Sequence, residues 1–169
     1  KVDVDVLDGV LNVIPYGITR ETQSMMSTLM DAYKVAEWLP AAKLALFRFS
    51  SIPVDRAEPS EALRTNTIWV SGFSAKSVLL SSKQINSYRF GGNISMVQEV
   101  FGVKTSLLIN DNVSLNPKSS KVWYFVADVA KDSSDVVTLV NTIKGQKNLT
   151  HLIEKSIAES AEKLNRLVA

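Results

Sequence analysis

The chain of 169 residues contains no cysteine and only one histidine, His151. Without cysteine there is no disulfide framework, no thiolate metal site and no cysteine nucleophile. A single histidine excludes the multi-histidine sites typical of zinc enzymes. No apolar stretch approaches the roughly 20 residues that a membrane-spanning helix needs. Apolar residues nevertheless make up 46% of the chain, too many for a disordered tail, so the composition predicts one folded domain.

The sequence motifs of several enzyme classes are also missing. The seven glycines are dispersed, and they form neither of the common phosphate-binding loops nor the nucleophile elbow of a hydrolase. His151 stands at the predicted start of the last helix, where the helix N-terminus disfavours an imidazolium. We therefore expect no catalytic residue, no cofactor and no metal, and we interpret the chain as a protein that is not an enzyme.

Carboxylates are the remaining candidates for chemistry. Asp3 and Asp5 share one face of an alternating segment and Asp8 follows in a turn. This spacing permits a hard-cation site or an acid–base pair, but it is more typical of a solvated strand face. Asp128 lies in the apolar segment 121–130, where a buried carboxylate needs a partner or a raised pKa. An enzyme that uses Asp128 is a hypothesis, against the simpler interpretation of a side chain that faces water at a strand end.

The net charge of +2 is unevenly distributed along the chain. Residues 1–62 carry six basic and nine acidic side chains, residues 63–131 carry eight and three, and residues 132–169 carry five of each. Each cation near an anionic bilayer contributes about 1 kcal/mol of binding, whereas solvated lysines on a sheet are the simpler interpretation. Trp123 and Tyr124 add rings of the kind found at bilayer interfaces. The predicted contacts with a membrane or another polyanion are Lys76, Lys83, Arg89, Lys104, Lys118 and Lys121.

Hydrophobic periodicity predicts an α+β fold. Alternation predicts strands, and apolar residues at steps of three and four predict helices. The predicted strands cover 2–6, 10–14, 41–51, 67–73, 76–81, 85–90, 103–109, 113–115 and 121–130, and the main helices cover 19–38, 133–145 and 148–168. We expect a single domain over residues 1–169, with a mostly antiparallel sheet and helices packed on one face.

The first predicted helix begins at Thr19 as its N-cap and ends before Pro40. Its methionines, Met25, Met26 and Met30, are interpreted as a core face rather than as an adaptable binding groove. The last helix is expected to begin after Asn148 as its cap.

Two segments have alternative interpretations. Asp8-Gly9 is typical of a hairpin turn, but one longer strand with a bulge at Gly9 also fits. Asn93 is placed to cap a short helix that ends at Gly102, and a strand is the alternative because Gly91-Gly92 also suits a hairpin.

Residues 110–112 predict a turn. The β-branched and aromatic segment 121–130 predicts a central strand.

The segment 53–61 is expected to form an exposed loop. Residues 52–61 contain two prolines and four charged side chains, a composition typical of mobile connections that are nicked by proteases or touch partners. Within it, Pro53, Val54 and Pro59 are the predicted self-association residues.

The order of elements in residues 10–55 resembles one protein family. A strand over 10–14 leads through a turn into the predicted helix 19–38, then into an apolar strand after Pro40 and a serine-rich exit that contains Pro53. This order is similar to the core of rhabdovirus matrix proteins, those of the plant-infecting cytorhabdoviruses in particular. The Lys-rich N-terminus and the Pro-Pro-x-Tyr motif that often occur in the family are not in this sequence, and no site residue is carried over.

The resemblance implies a structural matrix protein that self-associates and bridges the nucleocapsid and the inner face of the viral envelope. Its partners would be further copies of itself, the viral nucleoprotein and an anionic membrane surface, with no specific nucleic acid sequence. The protein would lie inside the virion under the envelope, and in the host cytoplasm and at its membrane surfaces. The alternative is a helix-grip-like module, in which a curved antiparallel sheet and the long last helix enclose a small molecule or lipid in an apolar cavity.

Overall fold

The computed structural model describes residues 1–52 and 61–168, so Pro53, Val54 and Pro59 of the predicted loop lie outside the described residues. The strands are β1 (Val2–Val13), β2 (Lys34–Leu39), β3 (Leu44–Phe49), β4 (Thr65–Ser71), β5 (Ser77–Ser81), β6 (Glu99–Phe101), β7 (Thr105–Leu115) and β8 (Tyr124–Lys131). The α-helices are α1 (Arg20–Met25), α2 (Ser27–Ala32), α3 (Ile85–Arg89), α4 (Ser133–Gly145) and α5 (Leu149–Val168).

The strands form two antiparallel sheets, one in the order β1-β7-β5 and one in the order β6-β2-β3-β4-β8. The predicted α+β class is confirmed. Alternation along β3 explains the layering, because Ala45 and Phe47 point to the three-stranded sheet while Leu44 and Leu46 point to α4 and α5. The five-stranded sheet is therefore the middle of three layers.

The first strand is continuous, so one longer strand is right and no hairpin forms at Asp8-Gly9, but the bulge lies after Val10 instead of at Gly9. Gly9 pairs with Leu108 of β7, and the register shifts between Val10 and Val13. A Cβ on Gly9 would lie 1.9 Å from the carbonyl oxygen of Leu107. Glycine is needed here because the two backbones approach closely.

The predicted helix 19–38 is wrong beyond Ala32. Thr19 does cap α1, since its hydroxyl accepts a hydrogen bond from the Thr22 amide at 3.1 Å. The helix then stops after two short pieces, and the following residues form β2, paired with both β3 and β6. Val35, Ala36 and Trp38 are buried in that strand. The backbone hydrogen bonds that β2 makes with β3 and β6 outweigh the weak helical preference of these few residues.

Two further assignments around the glycine pair are also corrected. Residues 85–89 form helix α3 instead of a strand, and the predicted short helix between Asn93 and Gly102 does not form. The strand alternative is right for the end of that segment, where β6 pairs with β2. These segments are short, and a short apolar run does not distinguish helix from strand by its period alone.

The segments 110–112 and 121–130 differ from expectation through their tertiary surroundings. No turn interrupts β7, because Asn110 and Asp111 are buried and pair with Leu7 and Val6 of β1. The apolar strand β8 lies at the edge of its sheet rather than in its centre, paired with β4 alone. Its apolar residues are explained by the layers that lie on its two faces.

Candidate functional site

The carboxylates of β1 are engaged in hydrogen bonds that hold the strand in place. Asp5 accepts a hydrogen bond from the side-chain amide of Asn110 at 2.7 Å. Asp8 accepts from the Trp123 indole at 2.7 Å and from the backbone N–H of Gly9 at 2.8 Å. Asp3 accepts from the Ser114 hydroxyl. Within residues 1–52 and 61–168, no group of His, Asp and Glu is arranged to hold a metal ion. These aspartates have a structural role in joining β1 to its neighbours.

Asp128 does not have the environment that a catalytic carboxylate needs. Its side chain is 51% exposed and accepts from Lys131 Nζ at 2.8 Å. The hydrogen bond from Lys131 holds the pKa of this carboxyl below its usual range, against a smaller opposing effect of burial. A general acid at neutral pH needs a raised pKa, so this site does not support acid catalysis.

Five of the six predicted cations fall into two groups on the three-stranded sheet. The register pairs Ser81 with Thr105 at one end of β5 and Ser77 with Asn110 at the other. Lys83 and Lys104 lie next to the first end along the chain. Lys76 lies next to the second end, where Lys121 Nζ is 3.7 Å from Asp111 and Lys118 belongs to the same loop as Lys121. Arg89 is not placed at the first end, because the hydroxyl of the preceding Tyr88 donates to the carbonyl of Asp5, which pairs with Asn112. All six residues are exposed, and the four steps from Ser77 to Ser81 separate the two basic patches by about 13 Å.

The second patch differs from the sequence expectation in the surroundings of its aromatic rings. Trp123 stacks on Phe73 at 4.5 Å between ring centroids and packs against the inner core, so it is not free to enter a bilayer. Tyr124 points to the opposite face, where its hydroxyl donates to Glu154 of α5 at 3.1 Å. Lys121 Nζ lies 3.7 Å from the buried carboxylate of Asp111, which offsets part of its charge.

A polar cavity of about 180 Å³ adjoins Lys104 of the first patch. Lys34 lies in it with only 3% of its side chain exposed, and its Nζ donates to Asp31 at 2.8 Å. Gln23 donates to the same carboxylate at 3.2 Å. A buried ammonium is tolerated when it is paired and hydrogen-bonded, so this network joins α1 and α2 to the start of β2.

Among the described elements, helix α5 carries five exposed large apolar residues, more than any other. Asn148 caps it as expected, accepting from the His151 amide at 3.1 Å, and His151 itself is exposed. The described side-chain hydrogen bonds and buried contacts between α5 and the body involve residues 149–154. Beyond that segment the helix overhangs the sheet. Its exposed apolar residues there are Ile157 (56%), Leu164 (61%), Leu167 (85%) and Val168 (78%).

An apolar groove lies where α5 diverges from the sheet. It has a volume of about 690 Å³, within the range of ligand-binding clefts. Its floor consists of Trp69, Tyr124 and Val126, and its wall is Ile153 and Ile157. Loss of solvent around the phenol and the hydrogen bond to Glu154 raise the pKa of Tyr124. The groove and the exposed stripe of α5 are continuous through Ile157.

Two other exposed apolar groups were not found by sequence reasoning. Met25, Met26 and Leu29 are largely exposed on α1 and α2, whereas Met30 is buried, so the core interpretation holds for Met30 alone. Phe90 is 89% exposed and directly follows the exposed Arg89. An exposed ring beside cations suits a bilayer interface. A strand over 85–90, as the sequence predicts, gives no sign that Phe90 is exposed at the end of a helix.

Comparisons with known proteins give no identification: neither a protein-family model nor a curated protein matches this chain. In the part of the chain that the structure describes, no helix is both long enough and apolar enough to cross a bilayer.

Proposed function

We propose that this protein is a non-enzymatic, matrix-type structural protein that self-associates and bridges a viral nucleocapsid and the inner face of an envelope membrane. The observation that carries the proposal is the overhanging apolar stripe of α5. Large exposed apolar patches on a folded chain typically mark protein–protein or membrane contacts. Four large apolar side chains more than half exposed on one helix are in keeping with a protein that assembles.

The basic patches supply the membrane contact in this proposal. Arg89 directly precedes the exposed ring of Phe90 in the chain, and Lys83 and Lys104 lie next to the paired residues Ser81 and Thr105 at one end of the sheet. Cations at about 1 kcal/mol each and an inserted ring together support reversible binding to anionic lipid. The second patch, with Lys76 and Lys118, is then available for the nucleoprotein.

The test is sedimentation velocity of the purified chain over a salt series, with and without anionic vesicles. We expect oligomers, and pelleting with vesicles that decreases as salt screens the cations. A double variant, Lys83→Glu with Arg89→Glu, should lose most vesicle binding, whereas the matched reversal of Lys144→Glu and Lys147→Glu, away from both patches, should retain it. A chain that stays monomeric and ignores vesicles at every salt concentration would refute the proposal.

A second candidate function, a small-molecule or lipid-binding module, is favoured by the groove of about 690 Å³ beneath α5. Its apolar floor suits an acyl chain or a flat ring. Native mass spectrometry of the purified protein tests it. A stoichiometric bound molecule that is lost in Val126→Trp, which fills the groove, would support this function over the first.

A further inference from the structure

We infer that α5 pairs in antiparallel orientation with α5 of a second copy of this chain, and that the tip of each helix occupies the apolar groove of the other. This inference rests on the self-association proposed above and names the surface that mediates it. An amphipathic helix of 20 residues gains its stability from covering its apolar face, and beyond Ile153 the apolar stripe of α5 is exposed.

The apolar stripe is symmetric about its own midpoint. Ile157 and Leu164 are equally distant from the point between Ser160 and Ala161, and so are Ile153 and Val168. Spacings of four, seven and four residues place these four side chains on one face of the helix. When a second copy runs in the opposite direction, each Ile157 meets Leu164 of the other copy, and small residues face each other at the crossing.

The body of the molecule selects the antiparallel orientation. Leu149 and Ile153 already pack against the sheet, so the body occupies the stripe side at the start of α5. A parallel pair would bring two bodies to the same place. An antiparallel pair separates them, and it brings Val168 and Leu167 of one copy close to Ile153 of the other, at the open groove. The apolar groove under α5 thus receives the apolar side chains of Leu167 and Val168 from the partner copy.

Charge on α5 favours a second copy over a bilayer or a nucleic acid. The polar face carries three acidic and three basic residues, Glu154, Glu159, Glu162, Lys155, Lys163 and Arg166. Helices that lie on anionic membranes are rich in Lys and Arg, whereas this face is neutral overall. Two such helices approach each other without net repulsion.

The helices of the pair supply part of the area that a stable dimer needs. Residues 153–168 give an overlap of about 24 Å, and a helix presents a strip about 10 Å wide, so two facing strips bury about 500 Å² in total. The partner tips in the two grooves add to this area, toward the roughly 1,000 Å² that a specific interface needs.

Single cysteines test the orientation directly, because the chain has none of its own. Under mild oxidation, Ala161→Cys should form a disulfide-linked dimer, and Ala158→Cys, outside the stripe, should not. A mixture of Ile157→Cys and Leu164→Cys chains should form the mixed dimer and little of either homodimer. Homodimers of Leu164→Cys would indicate a parallel pair and overturn the inference.

Leu164→Glu tests the stripe itself, with Ala158→Glu as the control that adds the same charge outside it. Both positions are exposed, so the fold should survive, which far-UV circular dichroism checks. We expect Leu164→Glu to weaken dimerisation at least about tenfold, the effect of removing one central apolar anchor. Ala158→Glu should sediment like the original chain.

The outcomes separate this inference from the proposed function. An apolar α5 dimer should persist in high salt, whereas vesicle binding should decrease. Oligomers that form no Ala161→Cys cross-link and resist Leu164→Glu would overturn the pairing and leave the matrix-type proposal standing. Cross-linked dimers that ignore vesicles in every buffer would do the reverse. If Leu164→Glu loses only vesicle binding, the stripe contacts lipid and the pairing is wrong.

Discussion

The two faces of the five-stranded sheet are covered to different extents. Toward the three-stranded sheet, Ala45, Phe47 and Leu107 are fully buried in a closed core. Toward the helices, the cluster around Trp69 and Ile153 retains a little exposure and opens into the groove under α5. A face that only two helices cover leaves apolar surface for a partner, whereas the closed face supplies stability. Under the proposed function, assembly and folding stability therefore use different sides of one sheet.

The largest effect should come from the closed face. Phe47→Ala removes a fully buried ring between the sheets and should lower the free energy of unfolding by about 3–5 kcal/mol, because the surrounding core cannot collapse into the space. Urea denaturation followed by tryptophan fluorescence measures it. A loss below about 1 kcal/mol would show that this core is loosely packed, and the contrast between the faces would disappear.

A substitution at the junction of β1 with β7 should lower the free energy of unfolding nearly as much as Phe47→Ala. Gly9→Ala places a Cβ against the carbonyl oxygen of Leu107, and the backbone must shift because neither strand can give way easily. We expect a loss of about 3 kcal/mol. Hydrogen exchange should report faster opening of the β1–β7 amides. Gly145→Ala is the control, since a Cβ there meets nothing within 4 Å.

The open face should tolerate truncation better. Ile153→Ala should cost about 2 kcal/mol, at the low end for a buried isoleucine, because the adjoining groove lets the helix settle. Leu167→Ala, on the exposed tip, should change stability by less than about 0.5 kcal/mol. Thermal unfolding of both variants at low protein concentration checks this difference, and equal losses would contradict an overhanging α5.

The smallest effect concerns the ion pair at the edge of the middle sheet. The lowered pKa of Asp128 means that its bond to Lys131 stabilises the fold above about pH 4, the ordinary carboxyl range, and that this contribution is lost as pH falls through the lowered pKa. The raised pKa of Lys131 sets the upper limit, where stability is lost as pH rises through that value. Because Asp128 is half exposed, we expect less than about 0.5 kcal/mol at neutral pH.

Denaturation of Asp128→Asn at pH 7 and pH 3 measures that contribution. The difference from the original chain should be present at pH 7 and smaller at pH 3. A difference that grows on acidification would contradict the direction of the pKa shift.

Much of the fold was predictable because its signals are local. Thr19 and Asn148 cap helices where side-chain oxygens meet free amides. The short apolar runs of β3, β4 and β5 are typical of strands that are buried on both faces. The candidate site was predicted less well. The six cations are exposed, but the separation of five of them into two patches depends on the register of β5 with β7, which pairs residues far apart in sequence.

By itself, the sequence determined the α+β class, the antiparallel strands and the long amphipathic last helix, because capping and hydrophobic period act over a few residues. Only the tertiary structure decided that Lys34 to Leu39 form a strand, that β8 lies at an edge and that α5 overhangs its sheet. The first two depend on which strands, distant in sequence, supply the hydrogen bonds. The third depends on where the five-stranded sheet ends beneath α5. The local pattern of α5 shows that the helix has an apolar stripe. Which part of that stripe is buried depends on how far the sheet extends beneath the helix.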